Sequence, residues 1–266
     1  MPRDRPLWPI DAMLSLAREW IRRFVEVQGI DRAMSIGAYA YSALIPLLVV
    51  YSSLLPRGQN RSFSDSIIAR FDLHGSAAES VKAAFAPSGT VQSSVSALGV
   101  FLLIVSALSF SRALQRLYEL AFGLPTLGMR NTKWGLLWLL VITLAAGVRP
   151  LILGGLGGTL ETIVSLLLAD ALWLITPHLL LGRRVGWLKL LPASILSTLG
   201  MSAVAVWSVI WLPHTISASA SQYGLIGIGF ALLTYLFVVA CVLVVAATGG
   251  AMVTDRLWRK KATEAG

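Results

Sequence analysis

The stretch LIGIGFALLTYLFVVACVLVVAATGG, residues 225–250, contains neither a charged side chain nor a proline. As a helix rising about 1.5 Å per residue, it is long enough to cross a hydrocarbon core of about 30 Å. The reading of the whole chain turns on whether this run is alone. It is not: comparable apolar stretches lie at about 33–55, 93–111, 134–153, 160–182 and 190–212. Composition agrees, with 56% hydrophobic and 13% charged residues among 266 and a mean hydropathy of +0.74, outside the balance of soluble domains. The expectation is an all-α, polytopic membrane protein with six transmembrane helices. Arg149 and Pro150 interrupt the third stretch, so a five-helix reading stays open.

The net charge of +9 raises the alternative of a nucleic-acid binder, and the placement of the cations argues against it. Between the spans, Lys and Arg concentrate on one side: the first 32 residues, Arg112, Arg116, Arg130, Lys133, Arg183, Arg184, Lys189 and the C-terminal run Arg256 to Lys261. The opposite side holds only Arg57, Arg61, Arg70, Lys82 and Arg149. Such asymmetry puts the basic side, with both termini, in the cytoplasm, and no nucleic-acid partner is expected. The expected organisation is a cytoplasmic segment over 1–32, a single membrane domain over 33–252 and a basic tail over 253–266.

The segment MPRDRPLWPIDAMLSLAREWIRRFVEVQGIDR has no central apolar block of the kind that marks a signal peptide. Instead Ile10, Met13, Leu14, Ala17, Trp20, Ile21 and Phe24 recur at spacings of three and four, with Arg18, Arg22, Arg23 and Glu26 opposite. That pattern predicts an amphipathic helix, either in the membrane interface with arginines toward phosphates or packed on the protein's own cytoplasmic face. The external connection, about 56–92, carries SFSDSIIARFDLH and GSAAESVKAAFA. Both read as short amphipathic helices, and a lid over an outward cavity is one use for them.

Conventional catalytic chemistry is sparse. His74, His178 and His214 stand on different connections, and Cys241 is the sole cysteine, so no metal or cofactor site is expected. GGLGG at 154–158 lacks the Lys and Ser/Thr of a phosphate loop, and no Gly-x-Ser-x-Gly turn occurs. The chain is not expected to be an enzyme. What remains are ionisable groups within apolar stretches, which are costly and tend to mark interior pathways. Asp170 lies in the fourth span and Arg149 at the outer end of the third. They read as a structural ion pair, as a substrate-binding pair, or as groups too far apart to meet. Pro46, Pro150, Pro177 and Pro192 predict interrupted spans around a polar interior, into which Tyr39 and Tyr41 would face. In SFSRALQRLYELAF, 109–122, Ser109, Arg112, Gln115, Arg116 and Glu119 share one helical face. The second span therefore continues as an amphipathic stalk whose Arg112 and Arg116, like Arg22 and Arg23, are candidates for anionic headgroups.

Four segments together carry a family resemblance: IRRFVEVQGIDRAMSIGAYAYSALIPLLVV, FSRALQRLYELAF, TPHLLLGRRVGWLKLLPASIL and SQYGLIGIGFALLTYLFVVACVLVVAATGGAM. In this order they resemble the YihY/BrkB family of bacterial inner-membrane proteins, over about residues 20–252. The resemblance implies a six-helix fold in the bacterial cytoplasmic membrane. The chain departs from the family at Gln115 and His178, where Asn is common, at Ala193 for Gly, at Thr234 for an aromatic and at Met252 for Glu. Any role tied to that Glu does not carry over. The family's older ribonuclease label finds no support in the scattered histidines. Two functions are expected to compete: a transporter or flippase-like carrier of an amphiphilic, lipid-related substrate, and a non-transporting scaffold that binds partners or anionic lipids through its basic face. Membrane lipids are the expected partners; the oligomeric state is left open.

Overall fold

The computed structural model describes residues 9–54, 65, 68, 75, 78, 79, 82 and 92–264. Among these, every regular element is helical. Helix α1 spans Pro9–Glu26, α2 Gly29–Leu54 and α3 Gln92–Ala121; a single 3-10 turn, Gly128–Asn131, leads into α4, Thr132–Leu153. Helix α5 spans Gly158–Leu180 and α6 Trp187–Glu264. Five described segments are long and apolar enough to cross a membrane: Leu98–Ala121, Gly128–Leu153, Gly158–Leu180, Trp187–Gly224 and Ile226–Arg259.

Helix α6 is two antiparallel limbs that reverse at Gly224 (φ 58°, ψ −136°), a backbone conformation open essentially to glycine alone. The limbs run back along each other. The Thr254 hydroxyl donates to the Lys189 carbonyl at 2.7 Å, and Gly250 lies so close to Ala193 that a Cβ would fall 2.3 Å from the Ala193 Cα. The expected loop between spans 190–212 and 225–250 is therefore absent: TISASASQY contains no glycine, and the helix runs on to Gly224. Helix α6 also continues through the basic C-terminal run to Glu264. The first limb, Trp187–Gly224, has 38 residues, about 57 Å, against about 35 Å for α5. At its tip Leu212, Ile216, Ala220, Ile228 and Ala231 form a small second core, against which Ile68 and Ala78 pack. Most of the external connection, and with it the lid reading, lies outside the described residues.

The main core lies at the other end. Ile36 of α2, Leu114, Leu117 and Tyr118 of α3, Leu180 of α5, and Leu190 and Val244 of α6 are almost fully buried there. Loops 122–131 and 181–186, the start of α2 and the C-terminal part of α6 all meet at this basic end. Toward the far end, which carries the 154–157 turn, apolar side chains face outward, among them Phe101, Leu144 and Leu151. The expected interruptions at prolines do not occur. The backbone is helical at Pro46 and Pro150, whose side chains lie outside the described residues, and at Pro177 and Pro192. Pro177 is buried in the last turn of α5, and Pro192 lies in the second turn of α6.

The fold predicts that Gly224→Ala destabilises the protein by about 1–3 kcal/mol, because the turn needs positive φ. Gly147→Ala, in α4 with no atom within 4 Å of the added Cβ, is expected to be neutral or stabilising by up to about 1 kcal/mol. Thermal unfolding of both variants in one detergent checks the contrast.

Candidate functional site

Most of the polar face read in SFSRALQRLYELAF does not face water. Gln115 and Glu119 are 4% and 1% exposed, as buried as Leu114 and Leu117 on the opposite face. The stalk is thus embedded on both sides, and only Arg116 and Leu120 remain exposed. Loops 122–131 and 181–186 cover the polar face and supply its partners. Glu119 Oε1 accepts from Gln115 Nε2 at 2.9 Å, the Leu127 backbone N–H at 2.9 Å and Arg184 Nη2 at 3.1 Å. Arg184 also donates through Nε to the Leu181 carbonyl at 2.9 Å and through Nη1 to the Pro125 carbonyl at 2.8 Å. Asn131 Nδ2 donates to Gln115 Oε1 at 3.0 Å and to the Leu180 carbonyl at 2.6 Å. Beside them His178 Nδ1 lies 3.1 Å from the Val185 carbonyl, and its ring stacks on Trp187 at 3.7 Å.

This network ties α3 to both loops, and its geometry is that of a register-setting clamp. Asn131 and Arg184 belong to it, and sequence reading had given them no role. The available signal was that Gln115 and Glu119 stood four apart on a helix flanked by apolar residues on its other side. Arg112 is half-buried with Nη2 3.5 Å from Thr132 Oγ1.

The other predicted groups separate. Arg149 and Asp170 form no ion pair; Arg149 Nη2 donates instead to Ser165 Oγ at 2.7 Å, and Asp170 Oδ1 accepts from Thr198 Oγ1 at 3.3 Å. The short α4–α5 turn explains this. It sets Arg149 level with about residue 162, leaving Asp170 about 12 Å further along α5 and on the side of α5 that faces α6. Tyr39 is 41% exposed and does not enter a shared interior. The Tyr41 hydroxyl packs 2.8 Å from where a Cβ on Gly229 would sit, so it serves the α2–α6 contact.

Two cavities bear on function. A groove of about 610 Å³ opens between α4 and α5, walled by Val141, Ala145, Val148, Leu168, Ala171 and Leu172 and closed at its base by Trp138, Phe110 and Leu243. Among the described residues of its lining, Arg149 alone is charged. At the basic end, a polar recess of about 260 Å³ is lined by Arg22, Arg23, Glu26 and Asp255. Arg23 is already committed there, to Asp255 at 2.8 Å and Glu19 at 3.3 Å, while Arg22 stays exposed at 3.7 Å from Glu26. Helix α1 docks on α6 through the same groups. Arg256 pairs with Glu19 through two nitrogens, and Trp20 Nε1 donates to the Val245 carbonyl at 3.2 Å. The Arg256 hydrogen bonds, helped by the charges of Arg23 and Arg22 and opposed by partial burial, hold the Glu19 carboxyl below its usual value. Among the described residues no three His, Cys, Asp or Glu side chains converge as metal ligands. Searches against family models, curated proteins and solved structures find no match for this chain.

Arg184→Ala is expected to cost about 3–5 kcal/mol, since it strands a buried carboxylate. Arg184→Lys recovers little, because one ammonium cannot reach Glu119, Leu181 and Pro125 together. Asp170→Asn, which keeps an acceptor for Thr198, should unfold at the wild-type temperature, within the error of the same melting experiment. A third outcome concerns pH. Glu19 has a lowered folded pKa, so its contribution is complete above the usual 4.5 and is lost as pH falls through the lower folded value. Spin labels at Arg18 and Leu257 should report a broadening α1–α6 distance below that pH in wild type. Glu19→Gln should be broad already at neutral pH.

Proposed function

We propose that this chain is a carrier of an amphiphilic, lipid-related substrate in the bacterial cytoplasmic membrane, and a divergent relative of the YihY/BrkB family. In this reading α2 joins the five apolar segments as a sixth span, the basic end is cytoplasmic, and α1 lies in the interface. Leu14, Ile21 and Val25 on α1 are exposed beside Arg18 and Arg22, the pairing that favours a headgroup layer. The family link rests on the four segments in their order; at two of the departures, Gln115 and His178, the residue that stands for the common Asn is buried and polar. Met252, in place of Glu, is buried in a helix contact.

The observation that carries the carrier reading is the groove. It is open sideways, its walls are apolar, and its volume suits a single small amphiphile. The sequence-based version, a polar interior lined by Asp170 and Tyr39, is replaced by this lateral route. A scaffold function has its own support in the exposed cations Arg116, Arg130, Lys133 and Arg183, the last two flanking the Trp134 ring at 5.8 and 5.7 Å.

Reconstitution separates the two. In vesicles of equal parts phosphatidylethanolamine and phosphatidylglycerol, wild type should speed transbilayer movement of a fluorescent phospholipid. Ala145→Phe with Ala171→Phe, which fills the groove, should return the rate to that of empty vesicles. Equal rates with and without wild-type protein would leave the scaffold as the surviving function.

A further inference from the structure

We propose that Arg149 is the headgroup site of this groove: its guanidinium holds the phosphate of an anionic lipid whose acyl chain lies between α4 and α5. The proposal rests on the carrier reading above and names its substrate class. Three observations lead to it.

The first is charge. Arg149 is exposed beside Leu144, Val148, Leu151 and Ile152, and its one partner among the described residues is the neutral Ser165 hydroxyl. No carboxylate among the described residues lies within salt-bridge distance of it. A guanidinium carries five N–H donors and a full charge, and an uncompensated cation beside hydrocarbon is costly. A phosphate supplies both the countercharge and a fork-shaped acceptor. Among the described residues Arg149 is thus a cation in an apolar lining with no carboxylate partner, unlike Arg184 with Glu119 and Arg256 with Glu19.

The second is direction. Side chains on a helix lean toward its N-terminus, which aims Arg149 from the last turns of α4 back along the groove it lines, and Ser165 of α5 meets its guanidinium. The Ser165 hydroxyl, accepting from Arg149, keeps its own proton to donate to a phosphate oxygen.

The third is length. From Arg149 down to Trp138, which closes the base and is itself fixed by its Nε1 donating to Thr176 Oγ1 at 3.0 Å, the groove runs eleven positions of α4, about 16 Å. That is close to half of a hydrocarbon core of about 30 Å, the depth of one leaflet. A chain anchored at Arg149 therefore ends where the groove ends.

The test is native mass spectrometry of protein released from nanodiscs of equal parts phosphatidylglycerol and phosphatidylethanolamine. Wild type should retain phosphatidylglycerol in clear excess. Arg149→Gln should retain the two lipids equally, and Arg149→Lys should keep part of the excess. The groove-filled variant Ala145→Phe, Ala171→Phe should lose both lipids. If Arg149→Gln keeps the wild-type excess while the filled variant loses lipid, the headgroup assignment is wrong and the carrier reading survives. If the filled variant keeps its lipid, the groove is not the binding site and both fall. A species of two chains without lipid would mean that a second copy occupies the groove, which also overturns the proposal.

Discussion

One carboxylate oxygen, Glu119 Oε1, collects donors from a helix side chain, a loop backbone and an arginine 65 residues later in the chain. A carboxylate at such burial needs partners, and Oε1 has three while Oε2 has none among the described residues. The requirement couples the 122–131 loop to the 181–186 loop, since Arg184 reaches Glu119 only while it also meets Leu181 and Pro125. Helices α3, α4, α5 and the start of α6 are thereby held at one end in one register. The apolar core of Leu117, Tyr118, Leu180, Leu190 and Val244 packs immediately beside this clamp, which supplies specificity where the hydrophobic effect alone supplies none.

Tightness at one end leaves the other free to open. Beyond Trp138 the described residues make no polar contact between α4 and α5 other than Arg149 with Ser165, and their walls are apolar enough to face lipid. The groove is a consequence of that division: its base is the rim of the clamped core, and its mouth is the unclamped half of the bundle. Asp170 plays its part on the other side of α5, where Thr198 links it to α6.

The helical elements were legible because each apolar run is long, and composition alone separates such runs from soluble helices. The continuity of α3 through SFSRALQRLYELAF was legible too, since no glycine or proline interrupts it. Its environment was not. A helical wheel shows which residues share a face, but nothing local shows that two distant loops fold over Gln115 and Glu119. Asn131 and Arg184 were invisible for the same reason, being isolated polar residues in connections that read as ordinary basic loops. The prolines misled in the opposite sense: Pro177 and Pro192 sit near helix ends, while the sharp reversal falls to Gly224, one glycine among 23. The Arg149 and Asp170 readings included separation, and the hairpin register decides for it.

A structure determined in a lipid nanodisc tests the central claim most directly, that the bundle is locked at its basic end and open to lipid at the other. The account predicts an elongated density between α4 and α5, with its head within hydrogen-bond distance of Arg149 and its tail at Trp138. Direct contact of Ala145 and Val141 with Ala171 and Leu172, with the groove closed and no density in it, would contradict the account.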